Sequence, residues 1–237
     1  NLCSNTAYFK KIQPIITRAI KKQPDVLVVL GIGGSDLGLI AAHTAVNGLL
    51  YNCLGSWPKF YHVDTVDSDY ASTVLAICKQ ELKNGKKIML NVITKSGGTT
   101  ETIANFHMFF DLLKSYCKDY KDWIYCTTGR GSKLWVSAKK IGLHTLPIPK
   151  KVGGRYSVLS AVGLFPLAIL GFNIKAMLAG ALAVRKECLR TNPLQNPAAI
   201  MASLSYNHHL KHQNVHDLFV FSKDLEYVGK WYRQLMG

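Results

Sequence analysis

The chain has 237 residues, of which 48% are hydrophobic and 18% are charged, so it has enough apolar sequence to bury a large core. Its net charge of +15 favours anionic partners, such as sugar phosphates, nucleotides, nucleic acids or anionic membranes. The basic residues are spread along the chain without a single basic stripe or an alternation of arginine with aromatic residues, which disfavours a nucleic-acid interface.

The first part of the chain alternates between predicted helices and predicted strands. Apolar residues at helical spacing predict a helix at residues 6–22, and the continuous apolar run at residues 25–30 predicts a buried parallel strand. Further strands are predicted at residues 60–63, 87–93, 123–127 and 143–147. Helices are predicted between them at residues 37–49, 68–82, 99–116 and 133–140. This alternation predicts an α/β fold, an αβα sandwich with a parallel, doubly wound sheet.

The pattern changes after residue 174. The apolar stretch at residues 158–174 is interrupted by Ser160, Gly163, Pro166 and Gly171, so we predict a buried helix rather than a membrane span. The elements predicted beyond it are helices at residues 175–189 and 197–211, a strand at 215–221 and a helix at 225–235. We therefore predict a first α/β domain at residues 1–174. Residues 175–237 then hold connecting helices and the opening strand and helix of a second α/β domain.

The cysteines indicate a reducing compartment. None of the six belongs to a Cys-x-x-Cys pair, and most lie among apolar neighbours, so buried thiols in the cytoplasm explain them better than a disulfide framework. No signal peptide is visible. Because the first residue is Asn1 rather than methionine, we expect the chain to begin inside a longer gene product.

A glycine-rich turn at residues 31–35 follows the first predicted strand and begins a helix. Backbone amides at such a helix start can bind an anion. A dinucleotide site is the alternative, but Gly31, Gly33 and Gly38 miss the usual spacing of that fingerprint. Asp36, just inside the helix, would also crowd a pyrophosphate.

A second turn, at residues 94–102, concentrates hydroxyl groups where the third strand becomes a helix. A phosphate dianion needs many hydrogen-bond donors and little steric bulk, and Gly97 and Gly98 supply the space. An ordinary helix cap is the alternative, but one hydroxyl would be enough for a cap. Glu101 is interpreted as a helix-start residue, since the first helical turn favours its ionised form and makes it a poor base.

The third chemically informative segment is Val-Gly-Gly-Arg-Tyr-Ser at residues 152–157. Its glycines allow a substrate to approach the backbone, and Arg155 places a permanent planar cation there. A guanidinium in this position could stabilise negative charge that develops in a transition state. Pairing with a carboxylate in a loop is the alternative.

In their order and spacing, these three segments resemble the signatures of the glucose-6-phosphate isomerase family, and the resemblance covers nearly the whole chain. It implies a sugar-phosphate-binding first domain and an aldose–ketose isomerase that interconverts glucose 6-phosphate and fructose 6-phosphate through an enediolate, as in glycolysis and gluconeogenesis. It further implies a cytoplasmic homodimer with no metal and no organic cofactor, and no nucleic-acid or membrane partner.

The resemblance also implies roles for individual residues. Arg155 would be catalytic. The substrate-binding residues would be Gly34, Ser35, Thr94, Lys95, Ser96, Thr99, Gly154 and Gln234. The family pattern would place its catalytic glutamate directly after Gly237, so we expect this segment to bind substrate and to be inactive alone.

Two alternatives of other classes remain. A non-catalytic, regulatory sugar-phosphate-binding domain would share the hydroxyl-rich turn but would have no need of the arginine segment. Nucleic-acid or nucleotide binding driven by the net charge is a more distant alternative. His208, His209, His212 and His216 could suggest a metal site, but a polar, partly exposed helix face is the preferred interpretation.

Overall fold

A five-stranded parallel sheet forms the centre of the protein in the computed structural model, which describes residues 2–55 and 57–237. The strands are β1 (Val26–Leu30), β2 (Lys59–Val63), β3 (Ile88–Thr94), β4 (Ile124–Gly129) and β5 (His144–Ile148). Their order in the sheet is β2-β1-β3-β4-β5. Leu30 pairs with Val63 on one side and with Val92 on the other. The direction of winding therefore reverses between β1 and β3.

Helices cover both faces of the sheet. Within the described residues they are α1 (Thr6–Lys21), α2 (Leu37–Asn47), α3 (Ser68–Lys83), α4 (Thr100–Tyr116), α5 (Lys133–Ile141), α6 (Ala161–Ile169), α7 (Ile174–Glu187), α8 (Pro197–Leu210) and α9 (Glu226–Met236). One apolar core joins the sheet to α1, α2 and α6, and the other joins it to α3, α4 and α5. This confirms the predicted doubly wound αβα sandwich.

The residues of β1 show why its sequence is a continuous apolar run. Successive side chains of a strand point to opposite faces. Leu27 and Val29 belong to the core beside α1 and α6, whereas Val26, Val28 and Leu30 belong to the other core. Because helices cover both faces, every position of the strand is buried and apolar.

The predicted strand at residues 215–221 is wrong. This segment has no regular secondary structure, and the side chains of Phe219 and Phe221 are 80% and 97% exposed. Within the described residues no strand lies beside it, so its backbone amides and carbonyls have no partners for a sheet ladder. The helices predicted around it are present as α8 and α9.

The apolar stretch at residues 158–174 contains α6, and every residue of α6 is buried in the core. Across the described part of the chain, no helix is both long and apolar enough to cross a membrane. Cys78 and Cys126 are buried, as predicted, and burial raises the pKa of each thiol to about 12. Cys53, in contrast, is an exposed free thiol.

A close contact between Gly163 and Val158, which follows the arginine segment in the chain, provides a test of the packing. A Cβ atom added at Gly163, in α6, would lie 2.2 Å from the carbonyl oxygen of Val158. Gly163→Ala should therefore lower the free energy of unfolding by about 1–3 kcal/mol through overpacking. The measurement is denaturant unfolding followed by circular dichroism.

Gly180 is the matched control, because it also lies within a helix but has no atom within 4 Å of an added Cβ. Gly180→Ala should raise the free energy of unfolding by roughly 0.5–1 kcal/mol, since alanine favours the helix. Equal effects of the two substitutions would contradict the packing around Val158.

Candidate active site

The predicted site residues lie at the carboxyl-terminal edge of the sheet, where β1 and β3 are neighbours. The glycine-rich turn follows β1 and the hydroxyl-rich turn follows β3. Gly31 lies so close to β3 that an added Cβ would be 3.4 Å from the Cβ of Ile93. In open parallel sheets, ligands bind in the crevice at such a reversal of strand order.

The glycine-rich turn and the arginine segment meet backbone to backbone. Each forms a short 3₁₀ turn, Gly33–Ser35 in the first and Gly154–Tyr156 in the second. A Cβ added at Gly34 would lie 2.4 Å from the backbone nitrogen of Arg155. The hydroxyl of Ser157 also donates to the carbonyl oxygen of Gly34, at 3.2 Å. Only glycine fits at position 34 while this contact is kept.

Arg155 is held by α9 and has no acidic partner. Its Nη1 donates to the carbonyl oxygen of Gln234 at 2.9 Å, and the indole nitrogen of Trp231 donates to the carbonyl oxygen of Arg155 at 3.1 Å. Among the residues that the structure describes, no carboxylate oxygen lies within 4.0 Å of its guanidinium. Within the described residues, the partner of Arg155 is therefore a main-chain carbonyl and not a carboxylate.

Gln234 completes this first group of predicted site residues. A Cβ added at Gly33 would lie 3.0 Å from the side-chain nitrogen of Gln234, so the side chain reaches the glycine-rich turn. The side-chain oxygen of Gln234 is buried and has no hydrogen-bond partner among the described residues. The residues brought together here are Gly34, Ser35, Gly154, Arg155 and Gln234.

The hydroxyl-rich turn forms a second group. The Oγ1 atoms of Thr94 and Thr99 lie 2.9 Å apart, and the hydroxyl of Ser96 lies 3.4 Å from the first and 3.5 Å from the second. Thr99 occupies the N-cap position of α4, but its side chain makes no capping hydrogen bond. The three hydroxyls therefore face one another, which a simple helix cap would not require.

The turn between β4 and α5 supports this cluster of three hydroxyls. Gly97 has a positive φ of 70°, and an added Cβ would lie 2.6 Å from the hydroxyl oxygen of Ser132. The carbonyl oxygen of Lys95 accepts a hydrogen bond from the amide of Gly129, at 3.1 Å. Lys95 itself is exposed, and Glu101 lies in the first turn of α4, as predicted.

The comparisons with known proteins match this chain to one family. The sequence model described as phosphoglucose isomerase matches residues 16–236. The chain belongs to the phosphoglucose isomerase family. A glucose-6-phosphate isomerase of Carboxydothermus hydrogenoformans is 37% identical over 227 residues, which cover 93% of this chain and 48% of that protein. One of Bacillus cereus is 37% identical over 236 residues, covering 97% of this chain and 51% of that protein. The chain thus spans about half the length of these curated relatives.

Solved structures agree on the fold. A protein of Thermus thermophilus that is described as hypothetical aligns with a TM-score of 0.79 and 30% identity, over 99% of this chain and 53% of its own. A glucose-6-phosphate isomerase of Chlamydia trachomatis aligns with a TM-score of 0.77 and 24% identity, over 98% of this chain and 44% of its own. At that identity the second alignment supports the fold alone.

Sequence reasoning missed one cluster beside the phosphoglucose isomerase signatures. One side-chain ligand atom from each of Asp36, His62 and Asp64 lies within 4.8 Å of the others. Burial raises the pKa of the Asp36 carboxyl to about 8, and the nearby charge of Asp64 adds to this effect. Burial lowers the pKa of His62. Asp64 directly follows β2, and only the pairing of β2 with β1 brings it to Asp36.

The four histidines of residues 208–216 do not assemble in this way. They are exposed, and α8 ends at Leu210, so His208 and His212 are not one helical turn apart. His212 has a positive φ of 58°. The interpretation as an exposed polar face fits His208 and His209, which lie on α8, but it is wrong for His212 and His216, which lie beyond the end of that helix.

The contact between Gly34 and Arg155 leads to a prediction. Gly34→Ala should push the arginine segment away from the glycine-rich turn, because the added methyl group would clash with backbone atoms of Gly154 and Arg155, which have little freedom to move. The free energy of unfolding should fall by about 1–3 kcal/mol. Ser35→Ala is the matched control and should change stability by less than about 0.5 kcal/mol, since no hydrogen bond of its hydroxyl is lost. A Gly34→Ala variant with wild-type stability would contradict the predicted clash.

Proposed function

We propose that the whole protein interconverts glucose 6-phosphate and fructose 6-phosphate through an enediolate intermediate. The observation that carries the proposal is Arg155, a guanidinium that has no acidic partner among the described residues. It lies beside the Gly34–Ser35 backbone and at the same sheet edge as three clustered hydroxyls. The naming of curated relatives as glucose-6-phosphate isomerase supports the same reaction.

The cluster of three hydroxyls is the proposed site for the phosphate of the substrate. Thr94, Ser96 and Thr99 would donate their hydroxyl hydrogens, and Lys95 would contribute its backbone amide. The start of α4 adds a favourable field for an anion. Hydrogen bonds to a charged group contribute about 1.5–3 kcal/mol each, so these contacts would dominate the affinity.

The sugar would lie towards Gly34, Ser35, Gly154 and Gln234, with its reacting carbons near Arg155. In the aldose, removal of the proton from C2 moves negative charge onto the carbonyl oxygen at C1. A cation fixed at this oxygen stabilises the enediolate more than the ground state. Transfer of the hydroxyl proton from O2 to O1, together with return of the abstracted proton to C1, then leaves the carbonyl at C2, which is the ketose.

The base is proposed to be a glutamate outside residues 1–237, as the family resemblance implies. Glu101 is less suitable, because it belongs to the first turn of α4 beside the phosphate position. No metal or organic cofactor is needed for the proposed steps. We also propose a cytoplasmic homodimer, with the first domain at residues 1–174 and the opening of a second at residues 175–237.

A regulatory sugar-phosphate-binding domain is less well supported. Such a domain would explain the cluster of three hydroxyls. It gives no reason for an arginine that is aligned by Trp231 and Gln234 and that lacks an acidic partner among the described residues.

Kinetics of the full-length gene product test the proposed roles. Arg155→Ala should lower kcat about 10²–10³-fold and change KM less, because the cation is needed mainly when enediolate charge appears. Thr99→Ala should raise KM by roughly tenfold or more, since phosphate bonding does not change during the reaction. Lys139→Ala, an exposed cation of α5, is the control and should change neither constant. A wild-type protein that gave no fructose 6-phosphate in a coupled assay would refute the proposed activity.

The 237-residue chain tests the assignment of the base. It should bind hexose 6-phosphates weakly in calorimetry and give no turnover. Turnover near that of the full-length product would refute an external base, and Glu101→Gln would then identify the alternative.

A further inference from the structure

Two acidic side chains and one histidine lie together at the carboxyl ends of β1 and β2, beside the glycine-rich turn. The cluster of three hydroxyls lies on the other side of β1. Asp36 follows the glycine-rich turn, His62 belongs to β2, and Asp64 directly follows β2. Because β1 and β2 are parallel neighbours, their carboxyl ends meet at one edge and bring residues distant in sequence together. One ligand atom from each side chain lies within 4.8 Å of the other two.

Asp36 is the unusual member of this cluster. Its side chain is only 1% exposed, and among the described residues only the backbone amides of Asp36 and Leu37 approach its carboxylate, without forming hydrogen bonds of good geometry. An unpartnered polar group in a protein interior costs free energy, and a carboxyl group costs more than most. The Nδ1 atom of His62 is likewise buried without a partner. The cluster therefore has several donor atoms whose bonding capacity the described residues do not use.

The nearest cation does not complete the cluster. Lys230 is close enough to affect the pKa of His62, but its ammonium nitrogen lies 2.8 Å from a carboxylate oxygen of Glu226. Among the described residues, no lysine or arginine lies within 4.0 Å of the carboxylate oxygens of Asp36 or Asp64.

We propose that Asp36, His62 and Asp64 bind a divalent transition-metal ion such as Zn²⁺. One imidazole and two carboxylates form a mixed nitrogen and oxygen donor set that suits such ions. Metal binding would displace the proton that burial favours on Asp36, and the two carboxylates would then neutralise a divalent cation. Since bonds from Zn²⁺ to these atoms are about 2.0–2.2 Å long, the ligand atoms would have to move from within 4.8 Å to within about 4 Å of one another.

Water could complete the coordination. A cleft of about 280 Å³ is lined by His43, His62, Tyr70 and Tyr227, so solvent has a route to the imidazole. The bound ion would have a structural role, since it would tie the turn that carries Ser35 to the end of β2. It takes no part in the isomerisation, and the proposal does not depend on that function.

Calorimetric titration with zinc tests the proposal on the full 237-residue chain after removal of metals with a chelator. The wild-type chain should bind one equivalent with high affinity. His62→Gln and Asp64→Asn should each weaken this binding by about tenfold or more. Near-ultraviolet circular dichroism checks that each variant is folded. If His62→Gln does not fold, Asp64→Asn decides the result, because it is isosteric at a half-buried position.

Exposed histidines provide the control, since they could bind zinc adventitiously. The double variant His208→Gln/His209→Gln should retain the tight equivalent, because both residues are exposed and remote in sequence from the cluster. Loss of the tight equivalent in this variant, or its retention in both cluster variants, would overturn the proposal. Absence of saturable binding by the wild-type chain would also overturn it.

Discussion

The close approach of two backbones at Gly34 is the constraint on which the candidate site depends. The glycine-rich turn leaves β1, and the arginine segment lies far along the chain, before α6. Their backbones are so close that even a methyl group at position 34 would lie 2.4 Å from the nitrogen of Arg155. The guanidinium position is thereby set by main-chain atoms, which vary less than long side chains do. Such preorganisation is what electrostatic stabilisation of a transition state requires.

The two groups of site residues have different supports. The cluster of three hydroxyls is supported by the turn between β4 and α5, through the Gly97–Ser132 contact and the hydrogen bond from the Gly129 amide to the Lys95 carbonyl. The arginine group depends on α9, through Trp231 and Gln234. Affinity for a phosphate and alignment of the cation can therefore be disturbed separately. Perturbing α5 should affect the affinity for phosphate, and displacing α9 should affect the alignment of the Arg155 guanidinium.

The sequence predicts most of the fold because the strands are buried on both faces. A continuous apolar run such as β1 fits few other environments, and the predicted strand ends differ from the observed ones by at most two residues. Residues 215–221 have a similar composition, yet they form no strand, because a strand also needs a neighbour that local sequence does not reveal. The group of Asp36, His62 and Asp64 was missed for a related reason. It exists only because β1 and β2 pair, and strand order is not written in any one segment.

The sequence predicts candidate site residues, but it does not predict their geometry. Composition explains why Thr94, Ser96 and Thr99 suit a phosphate, whereas only the structure shows that the Thr99 hydroxyl leaves its capping role and faces Thr94. Likewise, the sequence leaves open a carboxylate partner for Arg155. In the structure its guanidinium donates to a main-chain carbonyl of α9, which carries only a partial charge and leaves the positive charge largely unneutralised. A carboxylate there would stabilise the cation before substrate arrives and weaken its effect on a developing anion. The choice of a carbonyl as the anchor thus fixes the position of Arg155 without cancelling the charge that the proposed reaction needs.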